Sequence, residues 1–248
     1  MPANFFIKSG KIIGRSHLLS GKNCQDALRT TTLDIQDRSF QFAWIADGCS
    51  EGRYSETGAN LATEFLINQT AKYLQIDIDL DYISLFLYDD LLKFLRINLQ
   101  SFSFQNELQR VDYIKNHLLF TLIGFIIGPE ESLVMAFGDG VVLINDDQIF
   151  RNFNDESPYP AYHLIDGRYL NPNRRKIESE FDIYPIRTAD LQKLAIGSDA
   201  WIQEPDLLSQ IWGHPHPNQI QRNLNLWSDR DRRLSDDATL VVAERINS

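Results

Sequence analysis

The stretch Phe40-Gln41-Phe42-Ala43-Trp44-Ile45-Ala46-Asp47-Gly48 sets an aromatic ring at every second position from Phe40 to Trp44 and ends on an acid and a glycine. Successive side chains of extended backbone point to opposite faces, so this alternation predicts a half-buried strand. A strand that stops at Asp-Gly carries its carboxylate off the rim of a sheet, beside a residue that leaves room around it. The arrangement recurs. Apolar strand runs over 118–127 and 132–137 lead to Gly138-Asp139-Gly140, and the run 193–196 ends at Gly197-Ser198-Asp199. Its mirror is Asp236-Asp237, just before the closing strand over 239–244. One such aspartate is ordinarily a turn residue. Four at strand ends can gather on one rim, where a hard divalent cation with oxygen ligands neutralises them.

Outward from these strands the chain alternates clearly enough to assign its class. Residues 5–7 and 11–13, split by Ser9-Gly10, read as two short strands around a turn. Ser55 is the expected N-cap of a helix over 57–73, with Ala59, Ala62, Phe65 and Leu66 at helical spacing. A second amphipathic helix spans 82–99. Residues 141–145 and 148–150 form a strand pair about Asp146-Asp147. The polar, Asn-, Pro- and Tyr-rich segment 151–184 reads as an irregular excursion, and two short helices are expected near 205–212 and 217–227. Strands at both ends with helices between them predict one α+β domain over residues 1–248.

Composition narrows the function classes. The chain has 248 residues, 43% of them hydrophobic, and a formal charge of −10, which is ordinary globular composition. That charge argues against binding nucleic-acid backbone or an anionic membrane. Two cysteines, Cys24 and Cys49, are too few for a disulfide framework and fit a reducing, cytoplasmic setting. No signal-peptide layout opens the sequence, and its apolar runs are too short for a membrane span.

Taken in order, Asn23-Cys24-Gln25-Asp26-Ala27, Ala46-Asp47-Gly48, Ser55-Glu56-Thr57-Gly58-Ala59, Thr121-Leu122, Gly138-Asp139-Gly140, Gly197-Ser198-Asp199 and Asp236-Asp237-Ala238-Thr239-Leu240 resemble the PPM, or type 2C, metal-dependent protein phosphatases. The bacterial branch, in which Gly14-Arg15-Ser16-His17 precedes the first of these elements, is the nearest likeness. The resemblance covers residues 10 to 244. It implies a four-layer αββα sandwich of two antiparallel sheets flanked by helices, and it implies hydrolysis of phosphoserine and phosphothreonine in proteins with two or three Mg²⁺ or Mn²⁺ ions. By the same resemblance Asp47 bridges two metals and the Gly48 carbonyl completes one of them. Asp199 and Asp236 hold the other, Asp26 stands in the first or second shell, and Asp139 with Asp199 holds a third, weaker ion. Paired ions of this kind acidify a shared water and offset phosphoryl charge, so no protein nucleophile is required.

Two departures from the family pattern stand out. Cys49-Ser50-Glu51-Gly52 replaces the stretch where many members carry a histidine, and Gly21 stands where many carry a phosphate-binding arginine. Arg15, His17 and Lys22 are the nearby substitutes for substrate binding, with His17 also the candidate general acid among the catalytic residues Asp47, Asp199, Asp236 and His17. Gln25 stands where others have Glu. These departures leave a second reading open, a phosphatase-like regulatory or binding module with little turnover. A haloacid-dehalogenase phosphatase reading of Asp139-Gly140 fails, because Phe137 occupies the position of the required nucleophilic aspartate.

Other features carry ordinary readings beside sharper ones. His214 and His216 read as loop residues, although they could pair on a metal. The run Ser228-Asp229-Arg230-Asp231-Arg232-Arg233 is either a solvated loop or a basic rim for phosphopeptide, and Asn173-Arg174-Arg175-Lys176 has the same two readings. The 151–184 excursion falls where the family carries a flap near the site. The expected partner is a phosphorylated protein, and the chain is expected to be a monomer.

Overall fold

A computed structural model describes residues 5–154, 156–170, 179–213 and 216–246. Its strands form two five-stranded antiparallel sheets. The first has the order β2 (Ala27–Ile35), β3 (Arg38–Gly48), β4 (Phe120–Ile127), β5 (Glu131–Phe137) and β8 (Asp182–Arg187). The second has the order β1 (Phe5–Ile12), β10 (Ala238–Arg245), β9 (Lys193–Gly197), β6 (Gly140–Ile144) and β7 (Asp147–Arg151).

Alternation along β3 shows how the layers are built. Phe42, Trp44 and Ala46 pack outward against α2 (Glu56–Gln75) and α3 (Leu80–Gln100), in a core that also takes α4 (Glu107–His117). Ala43 and Ile45 point the other way, into a second core with Val241, Ala243 and Ile196 of the opposing sheet. The far face of that sheet is covered by Trp201 from α5 (Ala200–Gln203) and by Ile220, Leu224 and Trp227 from α6 (Gln219–Asp229). The result is the αββα sandwich. It also corrects the half-buried expectation for β3, since Trp44 is 0% exposed and Ile45 2%. Both faces are covered, one by helices and one by the other sheet.

Other differences have local causes. Residues 5–12 are one strand, paired with β10 from Phe5 opposite Arg245 to Ile12 opposite Ala238. Gly10 is not a turn residue. A Cβ there would lie 2.8 Å from the Gln221 backbone nitrogen, so glycine lets α6 lie against the strand. Ser55 stands at the start of α2, but its hydroxyl donates to the Cys49 carbonyl (2.9 Å) rather than capping the helix. Residues Pro205–Gln210 are 3₁₀ rather than α, and β8 begins inside the segment expected to be irregular. The chain also forms α1 (Arg15–Ser20), β2 and α4, which short or polar sequences did not announce. No helix among the described residues is long and apolar enough to cross a membrane.

Candidate metal centre

In an antiparallel sheet the end of one strand lies beside the start of the next, so acids that follow some strands and precede others share one rim. Asp26 precedes β2, Asp47 closes β3, Asp139 joins β5 to β6, Asp199 follows β9, and Asp236 and Asp237 precede β10. Asp47, Gly48, Asp139, Asp199, Asp236, Asp237 and His17 line a cavity of about 50 Å³, walled also by Cys49, Ser50, Thr121 and Tyr159. At roughly 10–15 Å³ for each water-sized occupant, that volume takes about three to five. The turn bearing Asp139 depends on its glycines, with φ of 92° at Gly138 and 140° at Gly140.

Asp26 is fully buried, and neither of its carboxylate oxygens has a hydrogen-bond partner among the described residues. Burial first, and then the charge of Asp237, push its pKa up to about 7. The Thr239 and Ser198 hydroxyls pull the other way without reaching hydrogen-bond geometry. Asp199 is raised to about 6, by burial and then by Asp236. Asp47 lies well above its ordinary value because of burial and the charges of Asp199, Asp26 and Asp236. Of the neighbouring charges Asp199 acts most strongly on Asp47, a crowding that a cation would relieve. Most of the potential donors are oxygens, and the His17 ring stands close enough to Asp236 and Asp237 for the three to offer ligand atoms within 4.8 Å of one another. A set dominated by carboxylates, with the orphaned Asp26 buried behind it, fits Mg²⁺ or Mn²⁺.

Asp237 holds the segment that carries Asp26. Its Oδ1 accepts from the Gly14 N–H at 2.6 Å, and its Oδ2 accepts from the Gln25 N–H at 2.5 Å. His17 Nδ1 lies 3.0 Å from the same Oδ2, out of line for a hydrogen bond. His17 sits on α1 and is 6% exposed. Lys22 Nζ donates to the Ser50 carbonyl at 2.5 Å, beside the cavity, whereas Arg15 does not line it.

Behind Asp139 stands Arg151, buried, whose Nε donates to the Gly138 carbonyl at 2.9 Å and whose Nη1 donates to the Tyr184 hydroxyl at 3.0 Å. Its Nη2 lies 2.7 Å from Asp182 Oδ2. Asp139 Oδ1 in turn accepts from the Phe153 N–H at 2.6 Å. Arg151 was not legible as a site residue, because nothing local distinguishes a clasping arginine from a surface one, and Asp237 was legible only as a member of the Asp236-Asp237 pair, without its clasping role.

A family model of protein phosphatase 2C matches residues 13–203, which include the Asp26, Asp47, Asp139 and Asp199 elements. The chain belongs to the protein phosphatase 2C family. Solved structures with the same fold include the serine/threonine phosphatase Stp1 from Staphylococcus aureus, 13% identical with a TM-score of 0.60, the alignment covering 100% of this chain and 97% of that one. A bacterial serine phosphatase is 11% identical with a TM-score of 0.61, covering 99% of each chain. PppA of Pseudomonas aeruginosa is 12% identical with a TM-score of 0.53, again covering 99% of each. No match was found among curated protein sequences.

As a protein phosphatase 2C, the chain carries Asp47, Asp139, Asp199, Asp236 and Asp237 around the cavity. The stretch where many members place a histidine contributes Cys49 and Ser50 to the cavity wall. Arg233 of the charged loop pairs with Glu204 and Asp206 and is not a free cation on a substrate rim. Asn173-Arg174-Arg175-Lys176 and His214 lie outside the described residues, and His216 Nδ1 accepts from the Asn218 N–H at 3.2 Å.

Proposed function

We propose that this chain hydrolyses phosphoserine and phosphothreonine in proteins, using two or three Mg²⁺ or Mn²⁺ ions held by Asp26, Asp47, the Gly48 carbonyl, Asp139, Asp199 and Asp236. The single observation that carries the reading is the buried Asp26 carboxylate, which accepts no hydrogen bond among the described residues and lies among the charges of Asp237, Asp47 and Asp199. Asp47, Asp199 and Asp236 would hold the stronger ions, and Asp139 would help Asp199 hold the weakest. When bound, such ions acidify water and offset charge on the phosphoryl oxygens.

The chain's own residues supply positioning and the proton. With Nδ1 turned to Asp237, His17 keeps Nε2 for the departing serine or threonine oxygen, as a general acid. Lys22, tied to the loop at Ser50, and Arg15 further out are the cations for phosphate. Cys24 takes no part in the chemistry, because burial pushes its thiol up to about 12 and keeps it protonated. In this reading the whole chain acts as one cytoplasmic phosphatase domain, a monomer, with 151–184 as its flap.

The test is hydrolysis of phosphoserine and phosphothreonine peptides with Mn²⁺, Mg²⁺ or chelator. Metal-dependent turnover that chelator removes is expected. Asp47→Ala and Asp236→Ala should abolish it together with Mn²⁺ binding by calorimetry. Mn²⁺ binding without turnover of any phosphopeptide would overturn the reading in favour of a silent, phosphatase-like module.

A further inference from the structure

The catalytic cavity is too small for a peptide, but its wall at Cys49, Ser50 and Tyr159 is shared with a groove of about 780 Å³. Helix α4 forms one side of this groove and residues on the 156–170 segment form the other. Its charge is lopsided. The carboxylates of Glu51, Asp112 and Glu156 line it, all on exposed residues, against the single cation Lys115 among its described lining residues. Lys115 Nζ donates to the Tyr169 carbonyl at 3.2 Å, and Asp112 accepts from Asn116 at 3.1 Å. Among the described residues none of the three carboxylates is in a salt bridge. Tyr159 and Tyr162 add ring surface to the same wall.

We propose that this groove binds the polypeptide next to the phosphorylated residue and selects substrates with lysine or arginine there. The proposal rests on the phosphatase reading and narrows its substrate class. Three carboxylates outside any salt bridge, beside ring surface, suit the long aliphatic stem and cationic head of lysine or the flat guanidinium of arginine. A flanking acid on the substrate would meet like charge, which disfavours the wrong partner as much as attraction favours the right one. The groove opens from one edge of the cavity, so the selection acts on one flank of the phosphorylated residue.

Phosphoserine peptides that share a core and carry either lysines or glutamates, first on the N-terminal and then on the C-terminal flank, test this with Mn²⁺. For one flank, kcat/KM should favour lysine by roughly tenfold, mostly through KM, since exposed charge pairs are individually weak and here act together. The preference should shrink in high salt. In the triple variant Glu51→Gln, Asp112→Asn, Glu156→Gln the lysine-to-glutamate ratio should fall towards one. Turnover with equal kcat/KM on both flanks overturns the groove proposal and leaves the phosphatase reading standing. A preference that survives in the triple variant overturns it too, because the selection then belongs to the acidic rim. No turnover of any peptide, nor of p-nitrophenyl phosphate, overturns both.

Discussion

His17 Nδ1 stands 3.0 Å from Asp237 Oδ2, and both side chains are almost wholly withdrawn from solvent. The two come from opposite ends of the chain, and Asp237 also accepts the backbone N–H groups of Gly14 and Gln25. One carboxylate thus stands against the candidate acid and anchors the loop that carries Asp26. This double role makes the pair the most informative place for mutation.

Removing the imidazole should affect substrates unequally. His17→Ala is expected to lower kcat on a phosphoserine peptide by about 10²-fold, the lower range for a positioned acid. An aryl phosphate, whose leaving group needs no proton, should lose much less. Equal losses on both would assign His17 to phosphate binding instead.

Asp237→Ala should act mainly on stability. It strands two buried N–H groups, each costing about 1–3 kcal/mol when left without a partner. The urea midpoint should fall markedly, and Mn²⁺ affinity should weaken because Asp26 is no longer anchored. An unchanged midpoint would show that the clasp contributes nothing.

Arg151→Met should loosen the turn at Gly138-Asp139 by taking the donor from a buried carbonyl, at about 1–3 kcal/mol. Asp139→Ala keeps that donor, so it is expected to lower turnover while Mn²⁺ still fills the stronger sites. Calorimetric titration checks both, and complete loss of Mn²⁺ binding in Asp139→Ala would overturn its assignment to the weakest ion.

Stability should depend on pH in opposite senses with and without ions. Burial and neighbouring charge raise Asp26 to about 7 and Asp199 to about 6, above the ordinary 3.8. The folded, ion-free protein therefore holds protons that the unfolded chain has released, and its stability falls as pH rises from about 4 through 7. Cations replace those protons, so with Mn²⁺ the melting temperature should rise over the same interval. Thermal melts in chelator and in Mn²⁺ at pH 5, 6, 7 and 8 decide it, and parallel curves would count against a metal at this rim.

How much of this was legible beforehand varied with how local the signal was. Strand ends at Asp47, Asp139 and Asp199 could be read because period-two alternation and an Asp-Gly or Gly-Ser-Asp stop are contained within a few residues. The helices α2 and α3 were legible for the same reason. The six-residue α1 and the polar α4 carry too little periodicity to stand out, and Gly10 reads as a turn unless the helix lying against it is known.

The amino-acid sequence by itself determined the class of the fold, the family likeness and the identity of the acids, since all three rest on residue types in order along the chain. Only the tertiary structure decided that Asp26 is buried without a hydrogen-bond partner, that Asp237 from the far end of the chain stands 3.0 Å from His17, and that Arg151 braces the turn of Asp139. The reason is separation. Those relations join residues 13 to 223 positions apart through the pairing of β10, the packing of two sheets and the exit of the chain from β7. Charge, burial and hydrogen-bond geometry at such a junction are set by what the fold brings together.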